Sequence, residues 1–141
     1  MEFDILEYLS RWGPYRYNIA MHWDYARHQS PDQQTDTTCN YVLPDQDGFI
    51  TAGLLWLPGV AVYYANGREM ARWETPRISN IPSYLIFTLV SGGWDNDDLD
   101  DAKLPDDFVV AYARAWQRKD LASAVDGLKT PAPLSAEKAV N

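Results

Sequence analysis

Between residues 15 and 23 apolar and polar side chains alternate. Tyr17, Ile19, Met21 and Trp23 fall on one side of an extended chain, and Asn18, Ala20, His22 and Asp24 on the other. Successive strand residues point to opposite faces, so this period of two predicts a β-strand with one face committed to a core, Trp23 included. The stretch at about residues 28–40 is rich in Ser, Pro, Gln, Asp and Thr and reads as a polar loop. Residues 49–56, 60–65 and 68–73 read as further strands. Leu57-Pro58-Gly59 marks the first turn between them and Asn66-Gly67 the second. Asn-Gly is the strongest short hairpin signal, because both central residues of a type I′ turn need positive φ. Residues 84–90 form an apolar run, expected as a buried strand ending at Gly92-Gly93-Trp94, and residues 108–117 are expected to form the last strand. Short strands between turn signals predict an all-β fold, an antiparallel β-sandwich or jelly roll. The domain is expected over residues 1–120. Residues 121–141, with Thr130-Pro131-Ala132-Pro133, are expected to be a flexible tail.

The first strand candidate carries the chemistry. Glu2-Phe3-Asp4-Ile5-Leu6-Glu7 places three carboxylates within six residues. Like charges repel, but crowded carboxyls acquire different proton affinities, which suits a reaction needing both a proton donor and a nucleophile. On a regular strand Glu2 and Asp4 share a face and Glu7 falls on the other. One residue inserted as a β-bulge around Ile5-Leu6 brings Glu7 back to the face of Glu2 and Asp4, with Phe3, Ile5 and Leu6 left for packing. A helix is the alternative: Asp4 and Glu7 are three apart and would then lie on an ordinary solvated acidic face. These six residues alone leave both open.

Composition narrows the function classes. The 141 residues carry a net charge of −8, the wrong sign for the Lys and Arg clusters that bind nucleic acid. Aromatic residues make up 13% of the chain, including six tryptophans, enough for a core and for flat platforms that stack on sugar rings. Cys39 is alone, so an internal disulfide and a cysteine-based zinc cluster are both excluded. Seven aspartates lie between Asp95 and Asp107 without the spacing of an EF-hand, and read as a solvated acidic loop. No apolar run is long enough to span a bilayer, and no signal peptide is evident, so no membrane partner is expected.

Five blocks in order resemble glycoside hydrolase family 16, the laminarinase, lichenase and agarase group. The opening Glu-Phe-Asp-Ile-Leu-Glu is similar to its bulged signature, Glu-x-Asp-x-x-Glu. Gly48-Phe49-Ile50-Thr51-Ala52-Gly53-Leu54-Leu55-Trp56-Leu57-Pro58-Gly59 resembles the family's strand ending in Trp and a Pro turn. Val62-Tyr63-Tyr64-Ala65-Asn66-Gly67-Arg68-Glu69 resembles the hairpin after it. Pro82-Ser83-Tyr84-Leu85-Ile86-Phe87 with Gly92-Gly93-Trp94, and then residues 108–117, complete the series.

The resemblance implies a concanavalin A-like jelly roll that cleaves β-linked polysaccharide, with retention of configuration. It implies Glu2 as nucleophile, Glu7 as general acid and then base, and Asp4 between them as a hydrogen-bonding partner that tunes Glu2. A retaining pair stands about 5–5.5 Å apart, leaving no room for water between. Trp94 is the expected sugar-stacking platform. His22 and Asn18 are expected to reach substrate hydroxyls, and Trp12 to flank a subsite. No cofactor is expected. Ala111 stands where the family often has a calcium-binding Asp, so no metal is expected either. The partner is a β-linked polysaccharide or oligosaccharide, and the complete family member works extracellularly or in the periplasm.

The same resemblance makes this fold incomplete. The family's N-terminal strands precede the signature, which here opens the chain at Glu2. A missing N-terminal segment of the same domain is therefore an expected partner, and the chain alone is expected to be poorly active. The alternative is a non-catalytic carbohydrate-binding jelly-roll remnant or a truncated gene product.

Overall fold

In a computed structural model, which describes residues 1–23, 34–90 and 100–119, the chain divides into two units, Met1–Leu104 and Pro105–Asn141. The first unit is all-β. Glu2–Tyr8 (β1), Arg16–Trp23 (β2) and Gln34–Tyr41 (β3) form one antiparallel sheet in the order β1-β2-β3. Ala52–Leu57 (β4), Val60–Ala65 (β5) and Arg68–Glu74 (β6) form a second, in the order β4-β5-β6.

Local chemistry sets the connections. A 3-10 turn at Ser10–Trp12 leads from β1 to β2, closed by Gly13 at φ +87°. The β5–β6 hairpin turns on Asn66 and Gly67, with φ of +49° and +76°, as a type I′ turn requires. The Asn66 side chain also fastens the hairpin to the preceding chain. Its Oδ1 accepts from the Thr51 N–H (2.8 Å), and its Nδ2 donates to the Leu43 carbonyl (2.9 Å).

The two sheets meet through one apolar cluster. Ile19, Met21 and Trp23 from β2 and Ala61 and Tyr63 from β5 are buried there with Ile78, and Phe3, Leu6, Leu54, Trp56, Met70, Ala71 and Trp73 pack against them. Of the alternating residues read between 15 and 23, Ile19, Met21 and Trp23 face the core as expected, while Tyr17 is half-buried and lies outside the cluster. Phe3 lies against Trp56 at 5.4 Å between ring centres, and Tyr63 meets Trp73 edge-on at 5.0 Å. The neighbours Met70 and Ala71 both reach the core because the β5–β6 register shifts between Tyr63 and Tyr64. One polar tie crosses the core: the Tyr63 hydroxyl donates to the Ala20 carbonyl at 3.1 Å.

Four expectations need correction. Gln34–Tyr41 is a strand and not loop, paired with β2 residue for residue from Arg16–Tyr41 to Trp23–Gln34. Its polar character hid it, but threonine is β-branched and suits a pleated edge whose backbone is satisfied by β2. Residues 28–33 of that expected loop lie outside the described residues. The strand read at residues 49–56 starts only at Ala52, because the preceding residues form a turn. There the Asp45 carboxylate accepts from the Asp47 and Phe49 N–H groups.

Residues 84–90 are neither paired nor buried: Tyr84 is 83% exposed and Val90 75%. Apolar content permits a strand, but only a neighbouring backbone makes one, and neither sheet pairs with this segment. In the second unit, residues 108–117 are likewise without a ladder, and Trp116 is 83% exposed. Ala113 and Ala115 weaken strand propensity there. Residues 120–141, including the expected tail, and residues 91–99 of the acidic loop lie outside the described residues. No helix among the described residues is long and apolar enough to cross a membrane.

The cross-core tie makes Tyr63→Phe informative. Losing the hydroxyl leaves a buried carbonyl short of one donor, so urea unfolding should show a loss of about 1 kcal/mol. An unchanged midpoint would mean that the bond adds nothing.

Candidate active site

β1 is a strand, which disposes of the helical alternative. Its register with β2 places Glu2 opposite His22 and Asp4 opposite Ala20, then shifts so that Glu7 stands opposite Asn18. His22, Ala20 and Asn18 are alternate residues of one strand. Their three partners therefore project to the same side, and the expected bulge at Ile5-Leu6 is present. Phe3, opposite Met21, turns to the core. Leu6 also packs there, while Ile5, expected to pack with Phe3, is not part of that cluster.

β2 supplies partners for two of the carboxylates. Asn18 Nδ2 donates to Glu7 Oε2 at 2.7 Å, and His22 Nε2 shares a 2.8 Å hydrogen bond with Asp4 Oδ2. From β3 the Thr37 hydroxyl donates to Asn18 Oδ1. Asn18 is 7% exposed, the one buried polar residue among those described. A buried amide is tolerated where its donor and its acceptor are both engaged, and Glu7 and Thr37 engage them.

Burial and charge act together on Asp4. Desolvation raises its carboxyl from 3.8 to about 6, the charges of Glu7 and Glu2 push the same way, and His22 opposes them. The Tyr63 hydroxyl, bonded to the carbonyl of Ala20 opposite Asp4, is also pushed up, first by burial and then by Asp4. Asp4 thus holds its proton more tightly than an ordinary aspartate, with Glu2 and Glu7 on the same face of the sheet. Among the described residues no group of three His, Cys, Asp or Glu side chains is arranged to hold a metal ion.

Trp12 is half-buried in the turn after β1, and its carbonyl accepts from Arg16 Nη1 at 3.4 Å. Trp94 lies outside the described residues. His22 and Asn18 face the carboxylates themselves. Two residues escaped the sequence reading. Thr37 sat in the presumed loop, where only its β-branched character hinted at a strand. Tyr41, 71% exposed, stands opposite Arg16 at the far end of the carboxylate face, with the guanidinium 5.6 Å from its ring centre.

No family model and no solved structure matches this chain. A stretch of 79 residues is 33% identical to endo-1,3-1,4-beta-glycanase ExsH of Rhizobium meliloti, covering 52% of this chain and 17% of that protein. The chain thus spans less than a fifth of the curated relative it matches, and the likeness supports a glycanase relationship in coarse terms.

The raised Asp4 carboxyl fixes a sign. Between its ordinary value of 3.8 and about 6 the folded chain holds more proton at this site than the unfolded chain does. Asp4's contribution to stability therefore falls as pH rises through that window, and levels off above it. In urea titrations between pH 4 and 7, Asp4→Asn should flatten the slope relative to wild type by about 1–2 kcal/mol, screening allowed for. Parallel pH profiles for the two proteins would contradict the assignment.

Proposed function

We propose that this chain carries the catalytic strand of a retaining, endo-acting β-glycan hydrolase of the family 16 kind. Its substrates would be β-1,3 or mixed β-1,3/1,4-glucans, polymers met outside the cytoplasm. The observation that carries this reading is the grouping of Glu2, Asp4 and Glu7 on one face by the β1 bulge. The partial likeness to an endo-1,3-1,4-beta-glycanase supports the same substrate class.

In this mechanism Glu2 attacks the anomeric carbon while Glu7 protonates the departing glycosidic oxygen. The resulting glycosyl-enzyme is cleaved by water that Glu7, now a base, deprotonates. Asp4 adjusts the charge on Glu2: a carboxyl that titrates near 6 can donate a hydrogen bond to its neighbour when protonated. Asn18 and His22 act through the carboxylates by holding their orientation. Residues 84–90, expected as a buried strand of the same fold, join neither sheet. Turnover by this chain alone is accordingly slow.

A second reading, glycan binding without turnover, draws on Tyr41, whose exposed ring on the carboxylate face suits a sugar regardless of chemistry. Reducing-sugar release from mixed-linkage glucan and from β-1,3-glucan separates the two. Wild type should act slowly, with the β-anomer formed first by proton NMR, and Glu2→Gln should lose about a thousandfold or more. Hydrolysis that survives in Glu2→Gln would remove Glu2 as nucleophile. Binding of these glucans with no turnover by wild type would establish the second reading.

A further inference from the structure

We propose that Thr37, on the neighbouring strand β3, is a positioning residue that fixes through Asn18 which oxygen of Glu7 carries the proton. This rests on the reading of Glu7 as the proton donor. A primary amide has a donor end and an acceptor end of nearly equal size, and its surroundings decide which end faces a given neighbour. Asn18 Oδ1 can only accept, so the Thr37 hydroxyl against it must donate. With Oδ1 engaged there, the other end, Nδ2, donates to Glu7 Oε2 at 2.7 Å. With Oε2 held as an acceptor, the Glu7 proton is left to Oε1.

The register explains how Thr37 reaches Asn18. Thr37 stands opposite Ala20, and Asn18 stands opposite Cys39. The Thr37–Asn18 bond is therefore a diagonal cross-strand contact, over the small side chain of Ala20. At 7% exposure Asn18 has little access to water that could replace a lost partner. If residue 37 could not donate, Oδ1 would be buried without a donor, and the amide would lose the contact that holds it steady against Glu7. The strand read as a polar loop would thus hold the general acid in its working orientation.

The test compares Thr37→Val, which keeps the shape without the hydroxyl, with Thr37→Ser, which keeps the hydroxyl, in the full chain. The Asn18 side-chain amide is read by NMR. Its protons should exchange slowly in wild type and Thr37→Ser, and about tenfold faster in Thr37→Val. Kinetics supply a readout that a structural role would not move. Thr37→Val should lower kcat on glucan by about tenfold or more at unchanged KM. It should leave untouched the initial burst of phenol release, the first step alone, from an aryl β-glucoside whose acidic phenol departs without protonation, and Thr37→Ser should restore the glucan rate. Equal losses on both substrates, or Asn18 protons unmoved in Thr37→Val, would overturn the proposal. If wild type hydrolyses neither substrate, the glycanase reading fails, and the proposed role in proton donation falls with it. The amide measurement still decides whether Thr37 orients Asn18.

Discussion

Ile5 and Leu6 on β1 stand against Ile19 alone on β2, and this one extra residue is the constraint on which the carboxylate face depends. Without it Glu7 would turn with Phe3 towards the core, where an ionised carboxylate has no partner and a high desolvation cost. With it, Glu7 meets Asn18 while Leu6 joins the apolar cluster. The same shift therefore satisfies a polar demand on one side of the sheet and an apolar one on the other. Bulges of this kind bend a strand and re-aim one side chain at little cost to the ladder around them.

β2 carries the consequences. Its core side, with Ile19, Met21 and Trp23, anchors the first sheet to the second, and Tyr63 adds a hydrogen bond to its backbone at Ala20. Its other side is also withdrawn from water, with Ala20 fully buried and Asn18 nearly so. A strand covered on both faces gives the carboxylates above it a poorly solvated floor, which is why burial leads the causes that raise Asp4. Packing and proton affinity are here two results of one arrangement. The sheet that fixes the positions of the carboxylates also removes the water that would keep them equivalent.

Legibility in the sequence followed how local each signal was. The β5–β6 hairpin was readable because Asn66-Gly67 encodes its own turn, and the two residues adopt the positive φ expected of them. The faces of β2 were readable from strict alternation. The bulge was readable only in part: the Glu2, Asp4 and Glu7 spacing requires it if the segment is a strand, but the same spacing also fits a helix. β3 was not, since its polar residues carry no apolar period and it becomes a strand by pairing with β2. Residues 84–90 failed in the opposite sense. Their composition promised a buried strand, but hydrophobicity measures what a segment can bury and says nothing of whether a partner stands beside it.

By itself, then, the amino-acid order determined the all-β class, the turn at residues 66 and 67 and the inward face of β2, and it set three carboxylates within six residues of one another. These are properties of residue type and short-range spacing, set by steric limits on φ and by the alternation of strand side chains. Only the tertiary structure decided how the carboxylates differ. Asn18 took Glu7, His22 took Asp4, and Thr37 reached Asn18 from a strand more than fifteen residues further along the chain. The reason is physical: proton affinity and orientation depend on dielectric and on hydrogen-bond partners, and both are supplied by residues that become neighbours only when the sheets form.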